Sequence, residues 1–224
     1  MASNRGLPHA QRLTLAGPAG AIEALLETPT AEPARAFAVV CHPHPLYGGT
    51  LQNKVVHTLA RSFAELGAAT LRFNFRGVGA SAGQFAEGVG EIEDTLAVVD
   101  AGRERFADLP LWLGGFSFGG AVAVRAAGRT EPKFLVSVAP AVKLINLSDI
   151  KVPACPWLIV QGGADEFVEA DAVIDWAAQL NPAPTVKLLP GVGHFFHGQL
   201  RKLAAVVLDF AHQQGVARES EKSG

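Results

Sequence analysis

Short, continuous apolar runs alternate along this chain with longer stretches in which apolar side chains recur every three or four residues. The first pattern suits strands buried on both faces of a parallel sheet; the second suits helices with one apolar stripe. Residues 12–16 and 22–27 surround Gly17-Pro18-Ala19-Gly20 and predict a hairpin. Residues 28–33 read as a loop, and 37–41 (Phe-Ala-Val-Val-Cys) as a buried strand. The following His42-Pro43-His44-Pro45-Leu46-Tyr47-Gly48-Gly49 suits neither strand nor helix. Val55, Val56, Leu59, Phe63 and Leu66 then mark a helix that Gly67 stops.

Further strands are predicted over 69–75, 110–113, 134–139, 157–161 and 186–189. Between them lie a helix marked by Ile92, Leu96, Val99 and Phe106, one over 121–127 stopped by Gly128, and one over 173–180 ending at Asn181-Pro182. A closing helix carries Leu200, Leu203, Val206 or Val207, and Phe210. The pattern predicts an α/β fold: a mostly parallel sheet of about eight strands, helices on both faces, and one antiparallel hairpin at the start. Sites in such sheets form outside the carboxyl ends of the strands.

Composition narrows the picture. The 224 residues fit one domain over 1–224, with a polar tail at 213–224 expected to be disordered. Hydrophobic residues make up 49% and charged ones 18%, as in a globular protein, and the formal net charge of −2 gives no reason to expect nucleic acid or an acidic membrane surface. Cys41 and Cys155 stand far apart in apolar stretches, which points to reduced thiols and a cytoplasmic setting. No run is long enough to span a bilayer, and the first ten residues lack the apolar core of a signal peptide.

Gly115-Phe116-Ser117-Phe118-Gly119 lies between a predicted strand and a predicted helix. In that context G-x-S-x-G describes a sharp turn holding a serine beside the first N–H groups of a helix. A serine needs a base to accept its proton, and that base needs an acceptor on its other nitrogen. Asp165 leaves the end of one strand in Gln161-Gly-Gly-Ala-Asp165, and His194 the end of the next in Gly191-Val-Gly-His194. Glu166, Glu169 and Asp171 are rival acids, and His197 a rival base. Strand-end position favours Asp165 and His194.

With His42-Pro-His-Pro-Leu-Tyr-Gly-Gly49, Arg72-Phe-Asn-Phe-Arg-Gly-Val-Gly-Ala-Ser81 and Gly193-His-Phe-Phe196 added, the chain resembles a small, lidless α/β-hydrolase of the serine-esterase type. The resemblance runs over nearly the whole chain. It implies hydrolysis of carboxylic esters through an acyl-enzyme, with Ser117, Asp165 and His194 as catalytic residues in the family's chain order. Thioesterase, amidase or lactone hydrolase chemistry stays open, as does a non-catalytic ligand-binding module. One oxyanion donor should be the Phe118 N–H, the other an N–H of the 42–49 loop. Matching His42 to the histidine of the more usual His-Gly-x loop picks His44, with Leu46 the rival. Tyr47, Phe116 and Phe195, with Phe118 and Phe196, are expected around the acyl pocket. Only residues 140–155 occupy the place where such hydrolases often insert a lid, so an open site taking short acyl esters is expected.

Gly77-x-Gly79-x-x-Ala82 formally matches a dinucleotide fingerprint but does not open a helix directly, and no acidic strand end lies about twenty residues on. Arg76 reads as a brace for nearby loops. His42, His44 and His194 could imitate a metal site, but the prolines and the oxyanion role account for that loop. The expected partner is a small-molecule ester, with no cofactor and no metal.

Overall fold

The apolar runs become the strands of one eight-stranded sheet, ordered β1-β2-β4-β3-β5-β6-β7-β8. In the computed structural model, which describes residues 9–29 and 33–216, the strands are β1 (His9–Gly17), β2 (Gly20–Thr28), β3 (Ala36–Cys41), β4 (Ala68–Phe73), β5 (Leu111–Phe116), β6 (Phe134–Val138), β7 (Trp157–Gly162) and β8 (Thr185–Leu189). The helices are α1 (Lys54–Glu65), α2 (Val89–Arg105), α3 (Phe118–Thr130), α4 (Ala170–Ala178) and α5 (Leu200–Gln213). The hairpin β1–β2 is antiparallel and joins β4 antiparallel; every pairing from β4 to β8 is parallel.

Strand periodicity divides the core in two. Phe37, Val39 and Cys41 of β3 face α2 and α3, while Ala38 and Val40 face α1. Both faces are covered, which is why β3 and β5 read as unbroken apolar runs, and why β4, β6 and β7 break theirs only with the buried Thr70, Arg72, Ser137 and Gln161.

Several expected boundaries move. The strand expected over 69–75 ends at Phe73, one residue before a last bond in the β2 register, from the Asn74 N–H to the Glu23 carbonyl (2.8 Å). The 42–49 loop contains one 3-10 turn, Pro45–Tyr47. Gly128 does not stop α3, which continues to Thr130 and ends on Glu131 at φ 51°. The glycine serves close approach instead: a Cβ there would press on Lys151. The helix expected over 173–180 starts at Ala170 and ends at Ala178. The tail expected to fray begins inside α5, and residues 217–224 lie outside the described residues. Among the described residues no helix is long and apolar enough to cross a membrane.

Candidate active site

Ser117 sits between the end of β5 and the start of α3 with φ 56° and ψ −119°. Its N–H donates to the Val138 carbonyl (2.8 Å), and its own carbonyl accepts from the Ala121 and Ala141 N–H groups (3.1 Å each). These bonds hold a conformation that a residue with a Cβ rarely adopts. The turn closes only with glycine on either side. A Cβ on Gly115 would collide with the Gly119 carbonyl, and a Cβ on Gly119 with the carbonyls of Cys41 and His42 at the end of β3.

The serine hydroxyl lies 3.0 Å from His194 Nε2, and His194 Nδ1 lies 2.8 Å from Asp165 Oδ2. A carboxylate only accepts, so Nδ1 carries the hydrogen and Nε2 is left to accept from the serine. The acid follows β7 and the histidine follows β8, so both reach Ser117 from neighbouring strand ends. Asp165 is held from three further directions: Oδ1 accepts from the N–H groups of Phe167 (2.9 Å) and Val168 (2.7 Å), and Oδ2 from Gln161 Nε2 (3.1 Å). Burial pushes the Asp165 carboxyl up, but the hydrogen bonds from His194, Val168 and Phe167 outweigh it and hold the group below its ordinary value.

The rival acids have other work. Glu166 accepts the backbone N–H of His194 (3.1 Å), and Glu169 pairs with Lys143 (2.6 Å). Asp171 lies in the first turn of α4. The rival base, His197, stacks on Phe195 at 5.7 Å.

His42 is fully buried. Its Nδ1–H donates to the Pro43 carbonyl (2.6 Å) and its Nε2 accepts from the Phe75 N–H (3.0 Å). Both nitrogens are occupied, so the ring clamps the β3 loop to the chain leaving β4. Burial drives its pKa down to about 4, against a smaller upward pull from the Pro43 carbonyl. Arg76 also acts as a clamp: its guanidinium meets both oxygens of Asp94 on α2 (3.0 and 2.7 Å).

In the 42–49 loop, the Leu46 N–H donates to His44 Nδ1 (3.2 Å) and the Tyr47 N–H to the His44 carbonyl (3.1 Å). Leu46, the rival oxyanion donor, therefore has its N–H engaged, and its side chain projects into solvent. Among the described residues the N–H groups of His44 and Phe118 have no hydrogen-bond acceptor.

A cleft of about 660 Å³ opens over Ser117 and His194. Tyr47 and Phe195 line it, as expected of substrate contacts. Phe116 does not: strand alternation turns it into the α1–α5 side of the core, fully buried and 4.9 Å beneath the His194 ring. Phe118 and Phe196 are likewise core residues. Sequence reasoning missed Asn53, Lys143, Leu144, Phe167 and Ala172, all of which line the cleft. Phe167 carried one usable signal, a large aromatic two residues after the strand-end acid.

Residues 32–153 match the model of the family described as Serine aminopeptidase, S33. The chain is 35% identical over 205 residues to the "Uncharacterized protein RP471" of Rickettsia prowazekii (strain Madrid E), covering 87% of this chain and 85% of that one. Among solved structures it is similar to XC6422 from Xanthomonas campestris, an α/β serine hydrolase without a lid. That match has 42% identity and a TM-score of 0.88, over 92% of this chain and 94% of the other. An α/β serine hydrolase homologue from Coxiella burnetii is 39% identical with a TM-score of 0.86, over 89% and 96%. The match spans more than half of the chain, from ahead of β3 past the serine turn, and two relatives are α/β serine hydrolases over nearly their full length; the chain belongs to the α/β serine hydrolases.

Proposed function

We propose that the protein is a carboxylic ester hydrolase acting on short acyl esters through an acyl-enzyme. The observation that carries this reading is the hydroxyl of Ser117 at 3.0 Å from an imidazole nitrogen whose partner nitrogen faces a carboxylate at 2.8 Å. Ser117 Oγ attacks the ester carbonyl carbon while His194 Nε2 takes the hydroxyl proton. Asp165 orients the ring and stabilises its charged form. The N–H groups of Phe118 and His44 receive the oxyanion, aided by the start of α3. As the C–O bond breaks, His194 returns the proton to the departing alcohol. Water, deprotonated by the same histidine, then releases the acid and restores the serine.

The family's description names an aminopeptidase, and an α-amino group would need a free carboxylate in the cleft. Glu169, the acid that lines it, is paired with Lys143. This counts against a substrate with a free α-amino group. A reducing, cytoplasmic compartment fits the unpaired thiols of Cys41 and Cys155, both pushed up by burial.

A fluorophosphonate probe tests the reading. Covalent labelling and hydrolysis of p-nitrophenyl acetate are both expected in the native protein and both lost in Ser117→Ala. Hydrolysis that survives Ser117→Ala, or a preference for p-nitroanilides over esters, would overturn it.

A further inference from the structure

The cleft has two unlike sides. Ser117 follows β5, so the loop after β3 walls it on one side, and the loops after β6 and β7 wall it on the other. The β3 side presents His44, Tyr47, Gly48, Gly49 and Asn53, a polar and backbone-rich surface. The opposite side presents Ala141, Val142, Leu144, Phe167, Val168 and Ala172, all apolar. Ala141 and Val168 belong to the core beneath, so this side has a rigid apolar floor.

Lys143 and Glu169 stand on the two walls of the apolar side. Lys143 Nζ meets Glu169 Oε2 at 2.6 Å, and the side chains are 68% and 74% exposed. The bridge therefore runs along the solvent edge. Glu169 also occupies the N-cap of α4, yet its carboxylate makes no cap hydrogen bond to that helix. It reaches across to the loop after β6 instead.

We propose that the apolar side holds the acyl chain of the ester and that the Lys143–Glu169 bridge closes its outer end, setting the longest chain accepted. This rests on the esterase reading above. Small floor residues leave room for methylenes, and each methylene buried there raises kcat/KM roughly fourfold. A chain that reaches the bridge must displace a bound ion pair or bend into water, and the gain stops.

The test is kcat/KM for p-nitrophenyl esters from acetate to decanoate, alongside a series of alkyl acetates that lengthens the alcohol instead. The native protein should gain with acyl length up to a cut-off and then fall. Lys143→Ala and Glu169→Ala should each raise the decanoate-to-butyrate ratio by roughly fifteenfold, about what two further buried methylenes supply. The double variant Lys143→Glu with Glu169→Lys should restore the native cut-off. Ala172→Phe, which fills the apolar side from α4, should lower the butyrate-to-acetate ratio. An unchanged cut-off in both single variants overturns the proposal, as does a shift in the alkyl acetate series in place of the acyl series. A native protein that hydrolyses esters but shows either result leaves the esterase reading standing. One that hydrolyses no ester and takes no fluorophosphonate overturns both.

Discussion

Glu166 holds the backbone of His194 while its neighbour Asp165 holds the ring: the Glu166 carboxylate accepts the His194 N–H at 3.1 Å, and Asp165 Oδ2 faces Nδ1 at 2.8 Å. Two adjacent acids thus fix one histidine in different ways. Only the ring contact selects the tautomer that leaves Nε2 free to accept from Ser117.

The two acids should therefore separate in a kinetic experiment. Asp165→Asn keeps the shape but offers an amide where the ring needs an acceptor, and kcat should fall by about 10⁴-fold. Glu166→Gln still offers an oxygen to the His194 N–H, and kcat/KM should change by less than about tenfold. Steady-state kinetics on p-nitrophenyl acetate decides. Equal losses would mean that the backbone of the 191–196 loop, rather than the ring contact, governs activity.

The oxyanion role proposed for the His44 N–H can be isolated because the backbone there already suits proline, at φ −52° and ψ 124°. His44→Ala and His44→Pro both lose the ring that stacks on Tyr47, Phe85 and Phe118 and that accepts from Leu46. Only His44→Pro also loses the N–H. The proline variant should be slower than the alanine variant by roughly 10²- to 10³-fold in kcat, with similar melting temperatures. Equal rates would move the second donor elsewhere.

Stability should fall in acid because of His42. Its folded pKa of about 4 lies below the ordinary value of 6.5, so between those values the unfolded chain binds more protons. Its contribution is whole above pH 6.5 and is lost as pH drops toward 4, a difference of about 3 kcal/mol. Asp165 adds a loss of the same sign at lower pH, since its depressed carboxyl stabilises the fold only while ionised. Urea unfolding at several pH values should show the decline. His42→Asn, less stable at pH 8 through the lost clamp on Phe75, should show a shallower one.

How much of this was legible in the sequence follows from what each residue does. The strands announced themselves because burial on both faces leaves few polar positions, and the glycines of the serine turn because nothing larger fits beside Gly119 or Cys41. Asp165 and His194, which the fold brings to Ser117, were singled out by their places at strand ends. Phe116 was misplaced because a strand buried on both faces gives no sign of which face a side chain takes. The wall of Lys143, Phe167 and Glu169, the last singled out only as a rival acid, was missed because it lies on aperiodic loops brought together only by the pairing of β6 with β7. Gly128 misled because a glycine serves close approach as readily as a helix stop.

The strain at Ser117 can be measured directly. Its φ of 56° with ψ −119° lies where an L-residue loses about 1–3 kcal/mol, and the bonds to Val138, Ala121 and Ala141 keep the backbone from relaxing. Ser117→Ala and Ser117→Gly both remove the hydroxyl that faces His194, so both are inactive. They differ only at Cβ. Glycine relieves the strain but leaves a more flexible unfolded chain, which takes back roughly 0.5–1 kcal/mol. The net gain of Ser117→Gly over Ser117→Ala should be about 1 kcal/mol, a rise of roughly 2–4 °C in Tm for a chain of this size. A glycine variant that melts below the alanine variant would mean that the turn is unstrained. Its shape would then follow from the close packing of Gly115 and Gly119, with no conformational energy held at the nucleophile.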